Sequence, residues 1–175
     1  SERIFRAMTG WKVFILSGPD RKSFLHGLVT NDVKGLSPGR ELPCCLLTPK
    51  GKLQAHFWTY DQGETLLLAC PPETGEALRA ALEKVLPLSE SKLEDGSGRW
   101  SVYWQACEPS GLLSFPFSAL GRPGWLVLID PSSRLSFEAV SGRSLCDDEF
   151  ERRRIESGWP RFGVDMDSDT IPLEA

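Results

Sequence analysis

Glu156 is a carboxylate whose placement asks for a chemical explanation. It lies in the phrase Arg154-Ile155-Glu156-Ser157-Gly158-Trp159-Pro160. Asp147, Asp148 and Glu149 open the preceding segment, and Arg152, Arg153 and Arg154 lie towards its end, the charge order that a helix macrodipole favours. Glu156 breaks that order. It puts a negative charge in the last turn, just before the Gly158 stop and Pro160, where a helix end is already negative. Two readings stand. The carboxylate can pair with a neighbouring arginine, or it can accept a fork of two N–H donors such as a guanidinium or a pterin ring presents.

Other residue types capable of chemistry are few. Thr30-Asn31-Asp32 follows an apolar segment, and its side chains can either bond nearby backbone N–H groups as a turn or line a pocket. Lys50 and Lys52 flank Gly51 in the turn Thr48-Pro49-Lys50-Gly51-Lys52. They can be solvated, or they can attract an anionic ligand tail. The histidines are His26 and His56, and a histidine moves protons near neutral pH. Five cysteines, at 44, 45, 70, 107 and 146, form no C-x-x-C pair. With two histidines they make weak metal ligands, and an odd, irregular set reads as free thiols, mostly buried, in a reducing compartment.

The chain has 175 residues, 41% hydrophobic and 25% charged, with a net charge of -4. That length can bury a real core. The acidic balance and the dispersed lysines and arginines give no general footprint for nucleic acid or an anionic membrane. No apolar run reaches the ~18 residues of a membrane span and the N-terminus shows no signal peptide, so the expected location is cytoplasmic. A start at Ser1 suggests a trimmed N-terminus.

The elements that must position these residues follow from periodicity. Strands are expected at 11–16, 42–47, 53–60, 65–70, 89–93, 100–107, 112–117 and 125–129. A helix opens after Gly18-Pro19-Asp20 and carries Phe24, Leu25 and Leu28. A second runs from Pro71 with Ala77, Leu78, Ala81, Leu82 and Val85 at helical spacing. The stretch 94–98 reads as a hairpin turn. Without regular β-α alternation, the expected class is α+β, mixed or antiparallel sheets with covering helices.

Taken in order, Phe24-Leu25-His26-Gly27-Leu28-Val29-Thr30-Asn31-Asp32-Val33, Thr48-Pro49-Lys50-Gly51-Lys52, the Glu156 phrase and Pro172-Leu173-Glu174 resemble the folate-binding superfamily of the glycine-cleavage T-protein (aminomethyltransferase) and the YgfZ-type proteins. The resemblance runs from about Trp11 to the last residue, and the Lys-Gly-Lys turn and the Ile-Glu-Ser-Gly-Trp-Pro phrase stand closer to the YgfZ branch. It implies an aminomethyltransferase-like folate-binding region over residues 1–175, with tetrahydrofolate as cofactor. Glu156 would receive the pterin, and Asn31, His56 and Lys52 are further candidate contacts. It also implies a role in iron–sulfur enzyme maintenance or tRNA modification, with a partner drawn from those systems.

Two departures shape the expectation. Transferases of the superfamily carry an acid just after a Gly-Gly turn, whereas the matching stretch here, Gly51-Lys52-Leu53-Gln54-Ala55-His56, places Ala55 and His56 there. A satisfied strand histidine is the plainer reading of His56. YgfZ-type proteins continue into a Lys-Gly-Cys-Tyr-x-Gly-Gln-Glu signature that this sequence does not reach, which suggests a fragment or a reduced homologue, with a half-open site or self-association. No catalytic residue and no metal is assigned. The leading expectation is a folate binder that is not an active aminomethyltransferase. The alternatives are an aminomethyltransferase-like enzyme moving a one-carbon unit to tetrahydrofolate, and a degenerate protein-binding scaffold.

Overall fold

The computed structural model describes residues 2–121 and 123–161. In chain order the strands and helices are β1 (Ile4–Ala7), β2 (Lys12–Ser17), α1 (Arg21–His26), β3 (Leu42–Leu47), β4 (Leu53–Asp61), β5 (Thr65–Cys70), α2 (Gly75–Val85) and β6 (Lys92–Asp95). They continue with β7 (Ser101–Gln105), β8 (Leu113–Pro116), β9 (Trp125–Ile129), α3 (Arg134–Val140), β10 (Arg143–Ser144) and α4 (Asp147–Glu156). Two five-stranded sheets with helices make the α+β class that the sequence predicts. The described residues divide into two compact units: residues 2–9 with 97–121 and 123–160, and residues 10–96 with Arg161.

The unit of residues 10–96 holds an antiparallel sheet in the order β3-β4-β5-β2-β6. One face gathers Phe14, Leu16, Cys44, Leu46, Ala55, Phe57, Leu66, Leu68 and Cys70, and packs against Leu25 of α1 and Leu78 and Leu82 of α2. Those two α2 leucines stand four residues apart, one turn along the same stripe. Each fully buried leucine contributes about 1.5–3 kcal/mol. The opposite face is buried as well, at Val13, Trp58, Tyr60, Leu67 and Ala69. Burial on both faces explains why β5 reads as a continuous apolar run instead of an alternation.

In the other unit the order is β10-β1-β7-β9-β8, antiparallel except for the β1–β10 pair. Phe5, Tyr103, Val127 and Ile129 pack on Phe137 of α3. Arg6, next in β1, points to the other face, where its guanidinium lies 4.3 Å from the ring centre of Phe150 in α4. Thus α3 and α4 cover opposite faces of this sheet. The parallel edge depends on Gly142, at φ 97°, where an added Cβ would lie 2.1 Å from the Arg3 carbonyl oxygen.

Several sequence expectations differ from the structure; Leu28, expected in the first helix, lies beyond its end at His26. The strand expected at 89–93 runs instead over Lys92–Asp95, because Asp20 draws the preceding residues into a turn: its carboxylate accepts from the Glu90 N–H at 3.0 Å and the Ser91 hydroxyl at 2.6 Å. The stretch 94–98 is not a hairpin turn, since β6 and β7 belong to different sheets; it is the connection between the units. Strand β1, helix α3 and the short β10 have no counterpart in the periodicity. None of the described helices is long and apolar enough to cross a membrane.

Candidate functional site

Helix α4 runs as the charge pattern predicts. Asp147, Asp148 and Glu149 occupy its first turn, Arg153 and Arg154 its last, and Glu156 is its final residue. The exit is a Schellman turn. Gly158, at φ 75°, takes the left-handed position; its N–H donates to the Ile155 carbonyl at 3.1 Å, and the Trp159 N–H donates to the Arg154 carbonyl at 3.0 Å. Trp159 then packs edge-on to Phe150 and Phe117. Glu156 is therefore held on a closed turn.

Its carboxylate is 68% exposed and reaches Arg152 Nε at 4.0 Å, one turn back. The neighbouring-arginine reading is thus realised only at its outer limit. The order is also the weaker one, since a glutamate placed before its cation along a helix is favoured over the reverse. An exposed pair of this kind is worth about 0.3–0.5 kcal/mol. Little in its local environment explains this carboxylate.

Asn31, His56 and Lys52 lie in the other unit, around the β3–β4 hairpin. The segment before Asn31 runs along the outer edge of β3: Val29 bridges Leu46, and the Thr30 N–H donates to the Cys45 carbonyl at 3.1 Å. Cys45 in turn stands opposite His56 in the register. The Asn31 side chain accepts from the Thr30 hydroxyl at 2.8 Å, and Asp32 accepts from the Gly35 N–H at 3.0 Å, so this phrase does form a turn. At the hairpin, the Lys52 N–H donates to Thr48 Oγ1 at 3.1 Å and the Thr48 N–H to the Lys52 carbonyl at 2.8 Å. Lys52 is half-buried and Lys50 exposed.

His56 is the outlier. Alternation along β4 sends Ala55 and Phe57 into the core and sets Gln54, His56, Trp58 and Tyr60 on the opposite face. Its ring lies 4.7 Å from that of Trp58. Its Nδ1 is buried and finds no hydrogen-bond partner among the described residues. The expectation of a satisfied strand histidine therefore fails at this atom. A buried polar atom left without a partner costs about 1–3 kcal/mol, a cost that an incoming hydrogen-bonding group would relieve.

Burial pulls the His56 pKa down to about 4. The unfolded chain binds a proton at an ordinary histidine pKa near 6.5, whereas the folded chain does not until about pH 4. The neutral ring therefore supports the fold fully above about pH 6.5, and that stability is lost as pH falls towards 4. Since the residue is only partly enclosed, we expect a loss on the order of 1–2 kcal/mol across that window. Urea denaturation at stepped pH should show the slope in the wild type and a flatter one in His56→Gln. Identical slopes would mean that His56 titrates normally.

The five cysteines are free; Cys44 and Cys70 are buried, Cys45 and Cys107 half-buried and Cys146 exposed. Desolvation pushes the Cys44 and Cys70 thiols up to about 12, so neither is a nucleophile at neutral pH. Among the described residues no group of three or more His, Cys, Asp or Glu is placed to hold a metal ion. A cavity of about 290 Å³ opens in the unit of residues 97–160, with Arg3, Gln105, Cys107, Leu112, Phe137 and Val140 in its wall. Of the residues singled out from sequence its wall includes Cys107, and none of the candidate ligand contacts Glu156, Asn31, His56 and Lys52. Gly163, Asp165 and Pro172-Leu173-Glu174 lie outside the described residues.

Sequence inspection passed over Arg154, which is buried at 2% exposure. Its Nη1 donates to the Trp159 carbonyl at 2.9 Å and its Nη2 to Glu151 Oε2 at 2.7 Å. An arginine four positions before a helix-stopping glycine, where the turn usually packs an apolar side chain, was the available signal.

This two-sheet α+β arrangement is the fold of the aminomethyltransferases. A solved aminomethyltransferase T of the glycine cleavage system, from Bartonella henselae, superposes with a TM-score of 0.83 at 16% identity, over 97% of this chain and 55% of that one. At that identity the likeness is one of fold, and the present chain spans about half the neighbour's length. A heterotetrameric sarcosine oxidase from Corynebacterium sp. U-96, solved with pyrrole 2-carboxylate, aligns at 15% identity over 90% of this chain and 86% of that one. Its TM-score of 0.40 is too low to define a shared fold. No protein-family model matches the chain, and no curated protein matches it in sequence.

Proposed function

We propose that this chain is a tetrahydrofolate-binding protein of the YgfZ type, in which Glu156 receives the pterin. The observation that carries the reading is Glu156 itself: a carboxylate set against the local helix field, 68% exposed and only 4.0 Å from a cation at its nearest pairing, on a chain with the aminomethyltransferase T fold. A pterin presents an N–H fork that two carboxylate oxygens match. The residues present fit such a ligand. In its own unit Glu156 offers the acceptors; in the other unit, taken by itself, the His56 Nδ1 is a buried polar atom with no hydrogen-bond partner among the described residues, beside the aromatic surface of Trp58. Asn31 is a candidate polar contact, and Lys52 is a candidate attractor of the ligand's glutamate tail; each is tested by its own substitution.

The finer role rests on the Lys-Gly-Lys turn and the Ile-Glu-Ser-Gly-Trp-Pro phrase. We read the protein as a folate-dependent supporter of iron–sulfur enzymes or tRNA modification, with a partner from those systems and no transfer chemistry of its own. Fold analogy alone is a weak warrant for a role, so the direct test is binding. Calorimetric titration of the chain with folinic acid should give saturable one-site binding. Absence of any heat or fluorescence change at millimolar ligand would discard the reading.

A further inference from the structure

We infer that Arg154 is a positioning residue: its buried guanidinium locks the turn that presents Glu156. The inference rests on the folate reading of Glu156, but its physical basis is independent. A charged side chain at 2% exposure is expensive unless it is paired and hydrogen-bonded. Where a Schellman turn closes a helix, the residue four positions before the glycine, here Arg154, ordinarily makes only an apolar contact with the residue that follows the glycine. A leucine or methionine would meet that need at no desolvation cost. The arginine does something a hydrocarbon cannot.

What it does is visible in the bonds. The Trp159 N–H donates to the Arg154 backbone carbonyl at 3.0 Å, and the Trp159 carbonyl accepts from Arg154 Nη1 at 2.9 Å. One residue thus holds both backbone groups of Trp159 and closes a double loop around residues 155–158. Glu156 lies inside that loop. The guanidinium is itself held, since Nη2 and Nε both donate to Glu151 Oε2, at 2.7 and 3.3 Å. Glu151 stands one turn back on α4, so the helix braces its own exit. Trp159 is further pinned by Phe150 and Phe117. A lysine could reach one acceptor but lacks the planar fork that spans Glu151 and Trp159 together.

The test separates this clamp from the folate reading. Arg154→Met should stay folded, because the Glu151 carboxylate it leaves behind is 36% exposed and water can hydrate it, with the thermal midpoint lowered only by the lost bond to the Trp159 carbonyl. Amide exchange at Gly158 and Trp159 should become about tenfold faster, and folinate affinity should fall by about tenfold. In a Glu156→Gln background the same change should leave folinate affinity unaltered, because the turn then has no carboxylate to aim. Arg154→Lys should recover part of both losses, and it serves in place of Arg154→Met if that variant fails to fold. Faster exchange with unchanged folinate affinity would overturn the positioning role, as would an affinity loss of equal size in the Glu156→Gln background. A wild type that binds no folinate would overturn the folate reading instead, and unchanged exchange in Arg154→Met would remove the clamp.

Discussion

Glu156→Gln is expected to lower folinate affinity at least tenfold while leaving the fold intact. The substitution keeps the shape of the side chain and replaces one acceptor oxygen with an amide donor. Facing the N–H fork of a pterin, that donor meets donors. A hydrogen bond to a charged group is worth roughly 1.5–3 kcal/mol, and each 1.4 kcal/mol is a factor of ten in the dissociation constant. Nothing comparable is lost from the folded state. The Arg152 contact is long, at 4.0 Å, with both side chains more than half exposed, and removing a negative charge from a helix C-terminus is mildly favourable. Unfolding free energies from denaturant titration should therefore agree within about a few tenths of a kcal/mol. Titration of both proteins with folinic acid decides it. If the wild type binds and the variant binds equally well, Glu156 is a surface residue without a ligand.

The conspicuousness of Glu156 in the sequence has a physical cause. Charge order along a helix is a local property, so a residue that violates it stands out without any knowledge of tertiary structure. The same locality made α4 legible from Asp147 to Glu156, as it did α2 with its leucine stripe. Elements that depend on distant partners were not legible. In β1, Ile4-Phe5-Arg6-Ala7, Arg6 belongs to a buried face only because Phe150 of α4 receives its guanidinium, so the alternation is hidden. Helix α3 buries Phe137 alone and leaves Leu135 84% and Val140 66% exposed, which erases the stripe that periodicity looks for. The seam at Gly96 looked like a turn because glycine and serine mark turns and inter-unit connections alike.

The site residues divide on the same line. Asn31 and Lys52 announce themselves by turn chemistry, and the structure keeps both in turns. That the buried His56 Nδ1 would find no hydrogen-bond partner among the described residues was not readable, because strand alternation fixes the face but not what the ring meets there. Arg154 was hidden for a related reason. An arginine beside two others reads as a solvated charge run, and its place four residues before Gly158 is a weak counter-signal to that reading; the folded turn shows that this one is buried.

Supplied with an aminomethyl donor and tetrahydrofolate, the 175-residue chain is expected to form no methylenetetrahydrofolate above the uncatalysed background. On the proposed reading, Ala55 and His56 stand where a transferase would carry its acid. Ala55 is fully buried in the core, beside Phe57 and facing away from His56. His56 is neutral at pH 7, and with a pKa of about 4 it is a poor proton acceptor for an amine. Neither residue supplies the negative charge that would handle the reacting proton. The alternation of β4 adds a sharper expectation: Ala55→Asp should not restore transfer, because it drives a carboxylate into the apolar core. An uncompensated buried charge costs about 3–5 kcal/mol, a large part of the 5–15 kcal/mol that holds a domain together. Urea denaturation should show that loss as a sharply lower midpoint, and a near-normal midpoint would mean that Ala55 does not face the core. Product formation by the pure wild-type protein would make the chain a transferase with a histidine base, and the reading of it as a binder without transfer chemistry would fall.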